Sequence, residues 1–215
     1  VILEGIAAAG FRPGTYVALA LDPAASEFFE DGKYLFSKSD GRARTSEEMV
    51  AFYADLVRRY PIVSLEDGLA ETVRDGWKAL DAELGARIQI AGDDIFVTDT
   101  RSIPRGISEG VANSVLIEPN QIGTVSETVA AVEMARNAGW TAVVSHRSGE
   151  TEDPFLADFT VAMGMGQIET GSACRSDRIC KYNQLLRIQR ELGDFCGIRG
   201  DAPFRRRGLN PAVTG

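Results

Sequence analysis

The chain has 215 residues, 44% of them hydrophobic, and a formal net charge of −8, enough for one substantial core and short for two comfortable domains. An acidic balance with pI near 4.8 argues against nucleic acid or an anionic membrane surface as partner. No apolar run reaches the length of a membrane span, no basic apolar leader precedes the first strand, and Cys174, Cys180 and Cys196 lack metal-like pairing, so the expectation is a reduced cytoplasmic protein with idle thiols.

Taken in order, apolar strand-like runs alternate with longer helical stretches. Val1 to Gly10 is alanine-rich and helical in pattern, and Pro13-Gly14 turns the chain into a strand over Tyr16 to Leu21 that ends on Asp22. Ala25 to Lys38 is polar and irregular, a loop with a short hairpin. Thr45-Ser46-Glu47-Glu48 caps a helix running to about Tyr60. Pro61 to Leu65 is a strand ending in Glu66-Asp67-Gly68, followed by a helix from Arg74 to Leu84 and a strand from Ile88 to Gly92 that ends in Asp93-Asp94. A helical connection over Thr100 to Gly110 leads to the strand Ser114 to Ile117, which ends in Glu118-Pro119-Asn120. Thr124 to Ala138 is helical, and Thr141 to Ser145 is a fifth strand that delivers His146, the single histidine of the chain. Phe155 to Gly164 is helical, Met165 to Ile168 a short sixth strand ending at Glu169, and Asp177 to Leu192 the last helix. Residues 1–193 thus form one domain, and 194–215 an irregular tail.

Strands separated by helices imply an α/β fold with a parallel sheet and right-handed crossovers. Their tips are Asp22, Glu66, Asp93, Glu118, His146 and Glu169, a polar residue each time. One acid after a strand is ordinarily a helix cap; six polar tips in succession argue for a ligand-binding rim at the carboxyl ends of the strands. Crowded carboxylates take up protons or hold a cation, and Asp22, Glu66 and Asp93 offer hard oxygen ligands suited to Mg²⁺. After the fifth strand, Arg147 offers a planar fork for phosphate or carboxylate, Ser148 a neutral donor and Gly149 a backbone that an anion can approach. His146 can titrate or donate near neutral pH, although a strand-end histidine satisfied by the backbone is an equal alternative on this stretch alone. The composite reading is metal-assisted chemistry on a small anion.

The runs Leu21 to Phe29, Tyr60 to Gly68, Gly92-Asp93-Asp94, Asn120 to Thr124, Ser145 to Asp153, Arg175 to Arg178 and Lys181 to Gln184 together resemble the carboxyl-terminal barrel domain of enolase, in order and at the expected intervals. The resemblance implies a (β/α) TIM-type barrel and Mg²⁺-dependent dehydration of 2-phosphoglycerate to phosphoenolpyruvate. It puts Asp22, Glu66 and Asp93 on the metal ligands and Ser145, His146, Arg147 and Ser148 on the substrate-contacting run, with Arg147 and Ser148 at the phosphate. It also implies a small anionic phosphorylated substrate and a homo-oligomer, a dimer or larger.

Two positions depart from the family pattern. Glu118 stands where enolases carry the lysine that removes the substrate's α-proton, and Glu169 stands where a second lysine faces the substrate carboxylate. Two like charges about 4 Å apart repel by roughly 4 kcal/mol at an effective dielectric of about 20, enough to slow turnover by orders of magnitude. A glutamate can itself act as general base, which would cover Glu118; Glu169 would need a proton, a partner or a further cation. Six strands are two short of the eight that close such a barrel, so the expectation is an incomplete copy whose general acids lie upstream and which gives no turnover by itself. Beside the enolase reading stand a divergent metal-dependent paralogue acting on a phosphonate or phosphoenolpyruvate-like compound, and a catalytically silent pseudoenzyme.

Overall fold

A computed structural model describes residues 1–197. The tail expected at 194–215 therefore lies, from residue 198 on, outside the described residues. The chain divides into two compact units, the first containing Val1–Ile95 and Arg105–Asn113, the second Phe96–Pro104 and residues 114–197.

In the first unit, helix α1 (Ile2–Ala8) precedes strand β1 (Leu19–Leu21). A small antiparallel sheet follows, made of β2 (Phe29–Glu30), β3 (Lys33–Leu35) and β4 (Ala43–Arg44). The expected hairpin is there, and β4 adds a third strand that the polar sequence did not signal. Its stability comes from aromatic packing: Tyr34 is fully buried, Phe36 meets Phe52 at 5.6 Å between ring centroids, and the Arg44 guanidinium lies 4.0 Å from the Phe36 centroid.

Helix α2 (Ser46–Arg59) starts with a capping box, in which Thr45 Oγ1 accepts from the Glu48 N–H (3.3 Å) and the Glu48 carboxylate accepts from the Thr45 N–H (2.8 Å). Acids in its first turn and Arg58 and Arg59 in its last complement the helix dipole. Strand β5 (Ile62–Glu66) leads to α3 (Arg74–Leu84), which buries Trp77, Leu80 and Leu84 at helical spacing, and then to β6 (Gln89–Gly92). Strands β1, β5 and β6 are parallel neighbours in that order. Strand β1 is shorter than expected: Tyr16 and Val17 are exposed and only three residues pair with β5.

Helix α4 (Ser102–Glu109) precedes the strands of the second unit, β7 (Ser114–Ile117) and β8 (Thr141–Ser145). These run parallel in register from Ser114↔Thr141 to Ile117↔Val144. Every residue of β7 is buried, as its continuous apolar run requires. A one-turn helix α5 (Pro119–Ile122), with proline at its start and Gly123 at φ 97 at its end, leads into α6 (Val125–Asn137). The Thr124 side chain caps α6 by accepting from the Glu127 N–H at 3.2 Å. Helix α7 (Phe155–Met163) follows β8, and β9 (Ile168–Glu169) pairs with β8 at Val144↔Ile168 and Ser145↔Glu169. The sixth strand therefore starts three residues later than expected and takes in Glu169 itself. Helix α8 (Ser176–Leu192) is the last α-helix among the described residues, and a 3-10 turn over Gly193–Phe195 follows it.

The six parallel strands, three in each unit, alternate in sequence with α-helices, the small antiparallel sheet intervening after β1, and make this an α/β chain of the β/α-barrel type with six of the eight strands of a closed barrel. No described helix is long and apolar enough to cross a membrane. Cys174, Cys180 and Cys196 are free thiols, Cys174 exposed and the other two half-buried.

Candidate active site

The first unit gathers carboxylates at the carboxyl ends of β5 and β6. Among the described residues, one group of three acids brings ligand atoms within 4.8 Å of one another, and it is Asp67, Asp93 and Asp94. The organiser is Asp67, buried directly after β5 with φ 41. Its Oδ1 accepts from the Asp93 N–H and its Oδ2 from the Asp94 N–H, both at 2.9 Å. Its own N–H donates to the Ala91 carbonyl at 3.1 Å, and its carbonyl accepts from the Ala25 N–H at 2.9 Å. One aspartate thus holds the turn after β6 and fastens the segment after β1 as well.

Burial pushes the Asp67 carboxyl up to about 7, with the Asp93 and Asp94 charges adding to the rise and their N–H groups opposing it. Asp22, after β1, is likewise raised by burial and by the Asp94 charge, against the pull of the Ala24 N–H bond at 3.0 Å. Hard oxygen ligands crowded within reach of one another are the donor set that a small divalent cation relieves. The residues present fit Mg²⁺.

The second unit carries the imidazole and the guanidinium. His146 continues the β8–β9 ladder by donating its N–H to the Glu169 carbonyl at 3.1 Å. Its Nδ1 faces Nη1 of Arg178 in a short hydrogen bond. A guanidinium can only donate, so Nδ1 accepts and the ring proton sits on Nε2. Burial and the Arg178 charge hold the imidazole below its ordinary value, opposed by Glu150 and Asp177.

Arg178 also donates to the carbonyls of Arg147 (2.8 Å) and Ser148 (3.0 Å). The Glu150 carboxylate closes the same loop by accepting from the N–H groups of Arg147 (3.2 Å) and Thr151 (2.8 Å). Burial alone would raise Glu150, but these bonds with the Lys181 charge hold it below the carboxylate range. Beneath the loop, the fully buried Lys181 donates to the carbonyls of Thr151 (2.5 Å) and Asp177 (2.8 Å) and lies 3.6 Å from Glu150. Gly171, at φ 75, passes so close that a Cβ there would meet Arg178 Cδ at 3.0 Å and His146 Cε1 at 3.1 Å. Only glycine serves both demands.

The model of the enolase C-terminal TIM barrel domain matches residues 1–206. The chain belongs to the enolase family. It is 58% identical over 199 residues to Enolase 1 of Methanospirillum hungatei JF-1, an alignment that takes in 93% of this chain and 46% of that protein. The chain therefore spans about half the length of this curated relative.

Of the residues that the enolase resemblance put on the metal, Asp93 lies in the three-acid group, and Asp22 is coupled to it through the Asp94 charge. Glu66 ends β5 immediately before Asp67. Asp67 and Asp94 join the group although neither was singled out; the doubled acids Glu66-Asp67 and Asp93-Asp94 were the available signal. Ser145 is buried, and its hydroxyl donates to the His146 carbonyl at 2.9 Å. Glu118 is buried at the tip of β7 and pairs with the guanidinium of Arg147. Glu169 is exposed, where solvent screens the repulsion expected of it. Sequence reasoning did not assign roles to Glu150, Arg178 or Lys181, because a brace is recognisable only once its acceptors are in place.

Proposed function

We propose that this chain supplies the metal-binding and anion-binding machinery of an enolase-type hydro-lyase, the dehydration of 2-phosphoglycerate to phosphoenolpyruvate being the reaction the family resemblance implies. The observation that carries this reading is the Asp67 bracket, which sets Asp93 and Asp94 side by side at the ends of parallel strands, in a chain matched to the enolase barrel over residues 1–206.

Asp93, Asp94 and the neighbouring Asp22 and Glu66 would hold Mg²⁺, with Asp67 as the group that keeps Asp93 and Asp94 in place. When bound, the ion supplies Lewis-acid stabilisation of the carboxylate that gains charge as the α-proton leaves. His146, neutral with its proton on Nε2, donates a hydrogen bond toward the bound anion. Ser145 and Ser148 flank it, and Arg147 is the guanidinium for the phosphate. Glu118 is the candidate to accept the α-proton, and Glu169 stands at the carboxylate end of the substrate. We take the protein to be cytoplasmic and to act as a homo-oligomer in glycolysis.

The divergent reading on a phosphonate or phosphoenolpyruvate-like compound draws support from the same two glutamates, but no observation favours it over the enolase reading.

The test is binding and turnover of 2-phosphoglycerate with Mg²⁺ and with chelator. The expected outcome is Mg²⁺-dependent binding by calorimetry, lost in D93N, with turnover of the chain alone below detection and binding strengthened in the double variant E118K/E169K. Binding that is identical in chelator would overturn the assignment.

A further inference from the structure

Arg147 already holds an anion, and that anion belongs to the chain. The Glu118 side chain is 5% exposed and the Arg147 side chain 44%, so the pair joins a buried carboxylate to a guanidinium that reaches in from solvent. Both are held by their backbones. The Glu118 N–H donates to Thr98 Oγ1 at 2.9 Å, and the Thr98 hydroxyl donates to Gln121 Oε1 at 2.8 Å. The Arg147 N–H is bound by Glu150 and its carbonyl by Arg178. In-register pairing of Ile117 with Val144 sets the two residues just beyond the tips of adjacent strands.

A carboxylate taken out of water is strongly destabilising unless a cation compensates it, and the Arg147 guanidinium pairs with Glu118 in this way. The guanidinium is therefore committed before any ligand arrives. An incoming phosphate must compete with an internal carboxylate for the same guanidinium.

We propose that Glu118 acts as an internal competitor for the anion position of Arg147, making this chain a weak binder of phosphorylated ligands until the Glu118–Arg147 pair opens. The proposal rests on the assignment of Arg147 as the anion-binding residue. It changes what that residue does in this chain: the resting site is neutralised, and ligands with a compact dianionic group bind only by displacing Glu118.

The test is calorimetric titration of inorganic phosphate at constant ionic strength into four proteins: the full 215-residue chain, E118Q, R147A and E118Q/R147A. Gln is nearly isosteric and removes the charge, so phosphate affinity is expected to rise roughly tenfold or more in E118Q, the range of a charge-assisted hydrogen bond, and to return to the starting level in E118Q/R147A. If the unaltered chain binds phosphate as tightly as E118Q and R147A abolishes that binding, the competition proposal is overturned while Arg147 remains the anion residue. If phosphate binds equally in all four proteins, or in none, the anion assignment of Arg147 falls as well. Should E118Q fail to fold, E118A and E118A/R147A take the place of E118Q and E118Q/R147A with the same rise and return expected, and a loss of phosphate affinity in R147A alone still shows that Arg147 is available at rest, which refutes the proposal.

Discussion

Arg178 reaches across from the first turns of α8 to Nδ1 of His146, so a permanent cation sits against one ring nitrogen of the single histidine in the chain. An imidazolium would have to place a second positive charge and a second donor at that nitrogen. The His146 ring is thereby kept neutral, with Nε2 as its donor.

Because there is one histidine, this is directly measurable. Nitrogen-detected NMR should show a single imidazole titrating below 6.5, the ordinary value, with protonation of the neutral form at Nε2. R178Q should move the titration upward. The charged groups facing the ring are Arg178, Lys181, Glu150 and Asp177. A histidine whose folded value is depressed binds fewer protons folded than unfolded just below pH 6.5, so its contribution to stability is present above that pH and lost as pH falls through the folded value. A titration at or above 6.5 in the unaltered protein would contradict the hydrogen-bond direction.

Metal binding should be visible in stability. A divalent ion at a hundredfold excess over its Kd adds about 2.7 kcal/mol to the folded state, so Mg²⁺ or Mn²⁺ should raise the melting temperature by several degrees. D93N should remove most of the response. D67N should weaken it too, although Asp67 spends both oxygens on N–H donors, because an amide there presents an NH₂ group to one of two backbone donors. A full metal response in D67N would show that the turn after β6 holds its own shape without the bracket.

Lys181 is fully buried and its ammonium is met by two carbonyls and Glu150. K181M keeps the stem and deletes the charge, leaving Glu150 and the Thr151 carbonyl without that donor. The expected cost is about 3–5 kcal/mol, the range for breaking a buried pair from one side, measured by denaturant unfolding. Faster amide exchange should be concentrated in residues 146–151, since that loop is what the ammonium ties to α8.

Asn113 tests a part of the fold away from the site. It is 1% exposed, its Oδ1 accepts from the Ile90 N–H at 2.9 Å, and its Nδ2 donates to the carbonyls of Gly85 and Ile88, both at 3.0 Å. N113A takes this partner from two buried backbone groups, the Ile90 N–H and the Ile88 carbonyl, and from the half-buried Gly85 carbonyl, and at about 1 kcal/mol or more for each buried group the unfolding free energy should drop by roughly 2 kcal/mol or more. N113D should lose less, since Oδ1 keeps its bond, and should recover stability as the added carboxyl is protonated at low pH.

The alternation of strand and helix, the carboxyl-end placement of acids and the enolase likeness were all legible in the chain of letters, because apolar periodicity and motif order are local properties. Arg74–Leu84, Ser114–Ile117 and Thr141–Ser145 sit where their patterns put them. Strand β4 and helix α5 were not legible: two-residue pairing and a single helical turn leave no periodic trace, and each exists through its neighbours, Tyr34↔Arg44 in one case and the Gly123 cap in the other. The sequence by itself determined which acids and bases the strand tips carry. Only the tertiary structure decided how they are spent: Asp67 on two backbone N–H groups, Arg178 on His146, and Glu118 on Arg147. Partner choice depends on distance and burial between residues tens of positions apart, and those quantities do not exist until the chain has folded.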